Sequence, residues 1–154
     1  MAQKPFRYSL EALLRKRQFD WKAVKLEETT AERAVSHGAV RVEEARGTIE
    51  QAEELLREAR RDGTPIDATR QELLLNYLGQ QRLELQERQQ RLQRSRDVHT
   101  QIQSNLDGIG RGIKSLEKHR AGRQAEHALT QYGIEQRGVD ELWLLRVGAK
   151  PEKK

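Results

Sequence analysis

The chain has no cysteine, which excludes structural disulfides and cysteine-based zinc sites and fits a reducing compartment. Its three prolines are Pro5, Pro65 and Pro151, so two long stretches run uninterrupted. Aromatic residues make up 5% of the 154 positions and hydrophobic residues 35%, against 34% charged, and mean hydropathy is -0.93. Such a composition is too polar for a thick core. It suits a disordered chain or an elongated coiled coil, where each residue buries little. No apolar run approaches the roughly 20 residues that span a bilayer. The stretch from Met1 to Leu14 is too short and too polar for a signal peptide, so a cytoplasmic location is expected.

What is present decides for the coiled coil. Leu14, Trp21, Val35, Val42, Ile49 and Leu56 fall on one seven-residue count, and Leu10, Val24, Ala31, Ala45, Ala52 and Ala59 on its partner count. Arg7, Arg17, Glu28 and Gly38 interrupt this a/d seam. A 3.5-residue repeat holds a narrow stripe against one neighbouring helix along its length, which disorder does not do. The first helix is expected from about residue 8 to 61, with Ser9 as N-cap, and at 1.5 Å per residue would be roughly 75–80 Å long.

Asp62-Gly63-Thr64-Pro65 reads as the stop. Gly63 suits a left-handed C′ position, and Thr64 can cap a second helix with Pro65 at N1 and Asp67 at N3. The second helix, about 65–147, repeats the grammar. Leu78, Leu85, Leu92, His99, Leu106 and Ile113 share one count, and Leu74, Gln81, Arg88, Ser95, Ile102, Ile109 and Leu116 the other. A turn this short makes the helices antiparallel neighbours. The expected fold is therefore all-α, one long antiparallel two-helix coiled-coil hairpin with a frayed tail over 148–154. After Leu116 the count breaks, and Ala125, Leu129, Tyr132, Val139 and Trp143 resume it in a shifted phase, as a stutter would. Gly108, Gly110 and Gly112 lie just before the break; they read as a hinge or close crossing, or as a weak spot held helical by packing.

Chemistry is hard to place on this pattern. His119 and His127 stand eight apart, outside the spacing of a helical zinc pair, and His99 sits on the seam as a polar register residue. Carboxylate pairs such as Glu43-Glu44 and Glu53-Glu54 have no pocket to shift them, and the serines lie in no nucleophile elbow. No enzyme activity, metal or cofactor is expected. Net charge is +5 with both signs interleaved, which fits an acidic partner or simply a solvated helix face.

Recognition by surface remains. In a hairpin with level ends, Phe6, Leu10, Leu13, Leu14, Phe19 and Trp21 would lie beside Tyr132, Val139, Leu142, Trp143, Leu144 and Leu145. That is more apolar bulk than one seam buries, so it fits either a partner surface or the two tryptophans packed on each other. A basic surface, Arg7, Arg15, Lys16, Arg17, Lys22 and Lys25, would be faced by Arg137 and Arg146. Near the turn, Leu73, Leu74, Leu75, Tyr77 and Leu78 form a cluster too wide for a narrow seam, either a docking point or an apolar cap. The run Arg82, Arg88, Arg91, Arg94 and Arg96 could follow phosphates in a nucleic-acid-binding arm, although Glu84, Glu87 and Asp97 interrupt it. A basic first helix could also lie on a membrane surface.

The opening Phe6-Arg7-Tyr8-Ser9-Leu10-Glu11-Ala12-Leu13-Leu14-Arg15 resembles that of flagellar export proteins of the FliJ family. So do Leu116-Glu117-Lys118-His119-Arg120 and Asp140-Glu141-Leu142-Trp143-Leu144-Leu145-Arg146. Gly108, Gly110, Gly112, His119 and Trp143 depart from the family pattern. The resemblance implies a central stalk of a type III export ATPase, cytoplasmic and peripheral at the membrane. Its paired ends would enter the hexameric ATPase ring, and it would also meet the membrane export gate protein and export chaperones; nucleic acid is not an expected partner. A related injectisome stalk is the near alternative. On this reading Arg7, Arg15, Lys16, Arg17, Arg137 and Arg146 steer insertion. Leu10, Leu14, Trp21, Leu142 and Trp143 anchor the inserted end, and Leu74, Tyr77 and Leu78 meet the gate.

Overall fold

Residues 5–61 and 67–148 are described in a computed structural model of the chain. Two helices account for nearly all of them: α1, Glu11–Arg61, and α2, Ala68–Gly148. The two pack against each other in an all-α, coiled-coil-like arrangement, with no strand among the described residues. Both helices are rich in strong helix formers and free of proline. Ion pairs one turn apart lace their exposed faces, among them Arg46–Glu43, Arg57–Glu54, Arg91–Glu87 and Arg123–Glu126.

The helix starts differ from the sequence reading. α2 begins after Asp67, whose Oδ1 accepts the Thr69 N–H at 3.2 Å and whose carbonyl accepts the Gln71 N–H at 3.0 Å. Asp67 is thus the N-cap rather than N3. The proposed stop at Asp62-Gly63-Thr64-Pro65 and the tail over 149–154 lie outside the described residues. α1 begins at Glu11, after a turn at Ser9-Leu10, because Tyr8 is held out of the helix by contacts with α2 described below.

The heptad count predicts most of the contact face, although Leu10 and Trp21, which lie on it, are exposed. Leu14, Ala31, Val42, Ala45, Ile49 and Ala52 of α1 are buried, as are Leu78 and Leu92 of α2. Val24, Val35, Leu56, Leu85, Ile102, Leu106, Ile109, Ile113 and Leu116 are half-buried. The polar members of the count, Gln81, Arg88, Ser95 and His99, are half-buried as well.

The chain divides into two compact units, one of residues 22–107 and one of residues 1–21 with 108–154. In the 22–107 unit Ile49, Ala52 and Leu78 form the core, with Leu56 and Leu85 packed on it. Cross-helix contacts run antiparallel: Arg82 to Glu53 at 2.9 Å, Arg88 to the Arg41 carbonyl at 2.9 Å, His99 to Glu28 at 3.3 Å. Gly38 lets α2 come close, since a Cβ there would stand 3.2 Å from Leu92 Cδ1. Glu28 is the one buried charge among the described residues, and it is satisfied twice, by Lys25 Nζ at 2.7 Å and by His99 Nε2. The Lys25 hydrogen bond, reinforced by His99, holds the Glu28 carboxyl below the usual carboxylate range despite burial, and Glu28 in turn raises Lys25.

In the other unit the pairing is again antiparallel: Trp21 by Gly110, Glu11 with Arg120 at 3.4 Å, Tyr8 at Leu116, Phe6 on His127. Here the level-ended hairpin is corrected. Phe6 already stands at His127, so the α2 segment after His127, about 30 Å at 1.5 Å per residue, has no described α1 residue beside it. Trp21 and Trp143 therefore do not pack together, and Phe6–Trp21 do not lie beside Tyr132–Leu145. The reason is length: α1 has 51 residues and α2 has 81. α2 is helical through Gly108, Gly110 and Gly112.

Candidate functional site

The N-terminal segment meets α2 through its aromatic residues. Tyr8 is buried; its hydroxyl donates to the Leu116 carbonyl at 3.1 Å, leaving its oxygen to accept from His119 Nδ1–H at 3.0 Å. Phe6 packs on the His127 ring with centroids 5.6 Å apart. The histidines weighed in the sequence as metal ligands are thus partners of aromatic residues, and no group of metal-ligating side chains occurs among the described residues. Two aromatics two residues apart, and two histidines eight apart, were the available signal. Nothing in the sequence connects residues more than a hundred positions apart.

Beyond His127, α2 is apolar on two opposite faces. Successive helical residues turn by about 100°. On that count Ile134 and Leu145 continue the face that bears Leu116 and His127, whereas Leu129, Tyr132, Val139 and Trp143 lie nearly half a turn away. The shifted phase in the sequence is this second stripe. Val147 joins the second stripe, and Leu142 and Leu144 occupy positions between the two. All of these side chains are exposed, Trp143 at 63%. Polar residues, among them Gln131, Glu135, Arg137, Asp140, Glu141 and Arg146, are interleaved with these stripes, so the end combines large exposed apolar side chains with charge rather than segregating them to separate faces.

Charge is concentrated in the same unit. Residues 1–21 and 108–154 hold 15 Lys and Arg against 8 Asp and Glu, an excess of +7; residues 22–107 hold 14 against 16, an excess of −2. The α2 stretch that pairs with the N-terminal segment carries Arg111, Lys114, Lys118, Arg120 and Arg123, so these, and not Arg137 and Arg146, accompany Arg7, Arg15, Lys16 and Arg17. Arg15 and Arg120 share Glu11. Arg7, Lys16, Arg17, Lys114 and Lys118 have no ion-pair partner among the described residues.

The residues singled out in the sequence therefore fall into three groups. Arg7, Leu10, Arg15, Lys16, Arg17 and Trp21 stand around the paired base, with Leu10 and Trp21 each 37% exposed. Leu14, at 2% exposure, belongs to the seam and offers a partner nothing without unfolding. Arg137, Leu142, Trp143 and Arg146 are on the projecting end. The turn-proximal trio lies in the other unit: Leu78 is core, Leu74 is half-buried, and Tyr77 is exposed together with Leu73 and Leu75. In the arginine run, Arg82, Arg88 and Arg91 are engaged by Glu53, Glu84 and Glu87, which leaves little continuous positive track.

The chain matches no protein-family model, no curated protein and no solved structure.

Proposed function

We propose that this protein is a non-enzymatic stalk of a type III protein export apparatus, flagellar in the first instance, held at its projecting end by the hexameric export ATPase. One observation carries the reading: the end of α2 is apolar on opposite faces, has no described α1 residue beside it, and rises from a unit with an excess charge of +7. A helix of this kind is stabilised by a partner that surrounds it, such as a ring, and a basic base suits acidic loops at the ring's mouth. The terminal signatures that resemble FliJ proteins support the same assignment. The role is to promote ATP turnover and to connect the ATPase, at the cytoplasmic face of the membrane, with the export gate and export chaperones. Of the turn-proximal residues, Tyr77 is the accessible gate contact.

The test is to mix the purified chain with the export ATPase. A stoichiometric complex with raised ATP turnover is the expected result. Retention on nucleic acid alone, with affinity falling steeply as salt rises, would instead assign the protein to nucleic-acid binding.

A further inference from the structure

At the foot of the projecting end lies a cleft of about 360 Å³, lined by Phe6, Arg7, Ser9, Arg123, His127 and Thr130 together with Tyr8 and Glu126. That is roughly a dozen waters' worth of space. We propose that this cleft receives an acidic side chain of a protein partner, so that one carboxylate is held at the base while apolar residues beside it cover the start of the projecting helix.

Three observations carry this. The first is preorganisation. Arg7 lies between two anchored residues, Phe6 on His127 and Tyr8 on Leu116, so its backbone is ordered before any partner arrives. Arg7 itself has no ion-pair partner among the described residues, so nothing must be displaced to use it. The second is charge. Arg123 is already paired with Glu126 at 3.0 Å, which leaves the lining with the net equivalent of one cation, Arg7. One excess charge matches a carboxylate better than a phosphate group, which carries up to two negative charges. The Ser9 hydroxyl and the His127 ring add hydrogen-bonding groups around it, while the Thr130 hydroxyl is already given to the Glu126 carbonyl at 2.9 Å. The third is continuity. Thr130 is followed, one turn on and on the His127 face, by Ile134, which is exposed. An acidic residue next to apolar ones in a protein loop meets both surfaces together; a sugar-phosphate backbone meets only the first. The proposal rests on the stalk reading only for which protein supplies the loop.

The probe is a capped peptide of alternating glutamate and alanine, titrated into the isotopically labelled full chain and followed by NMR on the Phe6 and His127 rings. Saturable shifts at these two rings are expected, absent with a glutamine–alanine peptide. Arg7→Gln is expected to weaken binding by about tenfold, the loss of one charge-assisted contact. Glu126→Gln frees Arg123 and is expected to tighten binding severalfold, whereas Glu117→Gln, outside the cleft, leaves it unchanged. Shifts spread evenly over His37, His99, His119 and His127 would overturn the proposal, as would equal tightening by Glu117→Gln or tighter seating of a single-stranded oligonucleotide in the cleft. Peptide binding without stimulation of the export ATPase would leave the cleft standing and remove the stalk reading. Stimulation by the wild-type chain without peptide binding would do the reverse.

Discussion

Tyr8 and Leu116, 108 positions apart in the chain, are joined by a hydrogen bond of 3.1 Å from the phenol to the backbone carbonyl. With His119 on the same hydroxyl, this contact draws the N-terminal segment along α2 past the start of α1 and sets which part of α2 is covered and which projects. Tyr8→Phe keeps the ring and removes both hydrogen bonds. The expected cost is about 1 kcal/mol, confined to the 1–21/108–154 unit. Hydrogen exchange should show faster exchange at Glu11–Leu14 amides and no change around Ile49 and Ala52. Unchanged exchange at the former would mean the ring alone holds the segment.

Glycines in α2 and α1 give opposite outcomes when filled. A Cβ at Gly122 meets nothing within 4 Å, so Gly122→Ala should add helix propensity worth about 0.5–1 kcal/mol and raise Tm. At Gly38 the same Cβ would stand 3.2 Å from Leu92 Cδ1, so crowding consumes most of that gain, and Gly38→Val should cost about 1–3 kcal/mol. Thermal melts of the three variants check the ordering.

The Glu28 layer predicts an acid limb. Because its folded-state carboxyl is held below the ordinary range, Glu28 contributes stability that is fully present above its unfolded-state pKa and is lost as pH falls through the folded-state one. Lys25, raised in the folded state, contributes stability that is lost only at strongly alkaline pH. Denaturation midpoints measured across the acid range should fall for the wild type and fall less for Glu28→Gln. Equal slopes would remove Glu28 as the cause. Glu28→Leu alone strands His99 opposite an apolar group, whereas Glu28→Leu with His99→Leu should restore or raise stability while loosening the register, since a polar seam layer specifies alignment more than it stabilises.

Trp143 and Trp21 should respond differently. Trp143 is exposed and projecting, so Trp143→Ala should change the unfolding free energy by no more than about 0.5 kcal/mol and yet reduce stimulation of the export ATPase. Trp21 packs beside Gly110, so Trp21→Ala should lower Tm as well as stimulation. Tyr77→Ala should spare stimulation and weaken gate binding. If both tryptophan variants stay helical and stimulate normally, the projecting end is not the ATPase contact.

Most of the fold was legible in the sequence, because a heptad stripe states which side chains face the partner helix. Leu14, Val42, Ile49, Leu78 and Leu92 are buried where the count puts them, and even the awkward members Glu28, Gly38 and His99 sit at the contact. The candidate site was legible only in parts. Phe6, Arg7 and Trp143 could be singled out, but a level-ended hairpin put Trp143 beside Trp21. Pairing Phe6 with Leu145 would have placed the axis of an antiparallel pair well past the turn signal at Gly63-Thr64-Pro65; counting outward from that signal reaches Phe6 opposite the region of His127.

By itself the amino-acid pattern determined two long antiparallel helices and the face on which they meet, because 3.5-residue periodicity is a local property written in every turn. Only the tertiary structure decided where the N-terminal end of α1 falls along α2 and that Phe6 and Tyr8 meet His127 and Leu116. Those depend on registry between segments a hundred residues apart, and a repeat every seven residues is indifferent to a shift by one whole repeat.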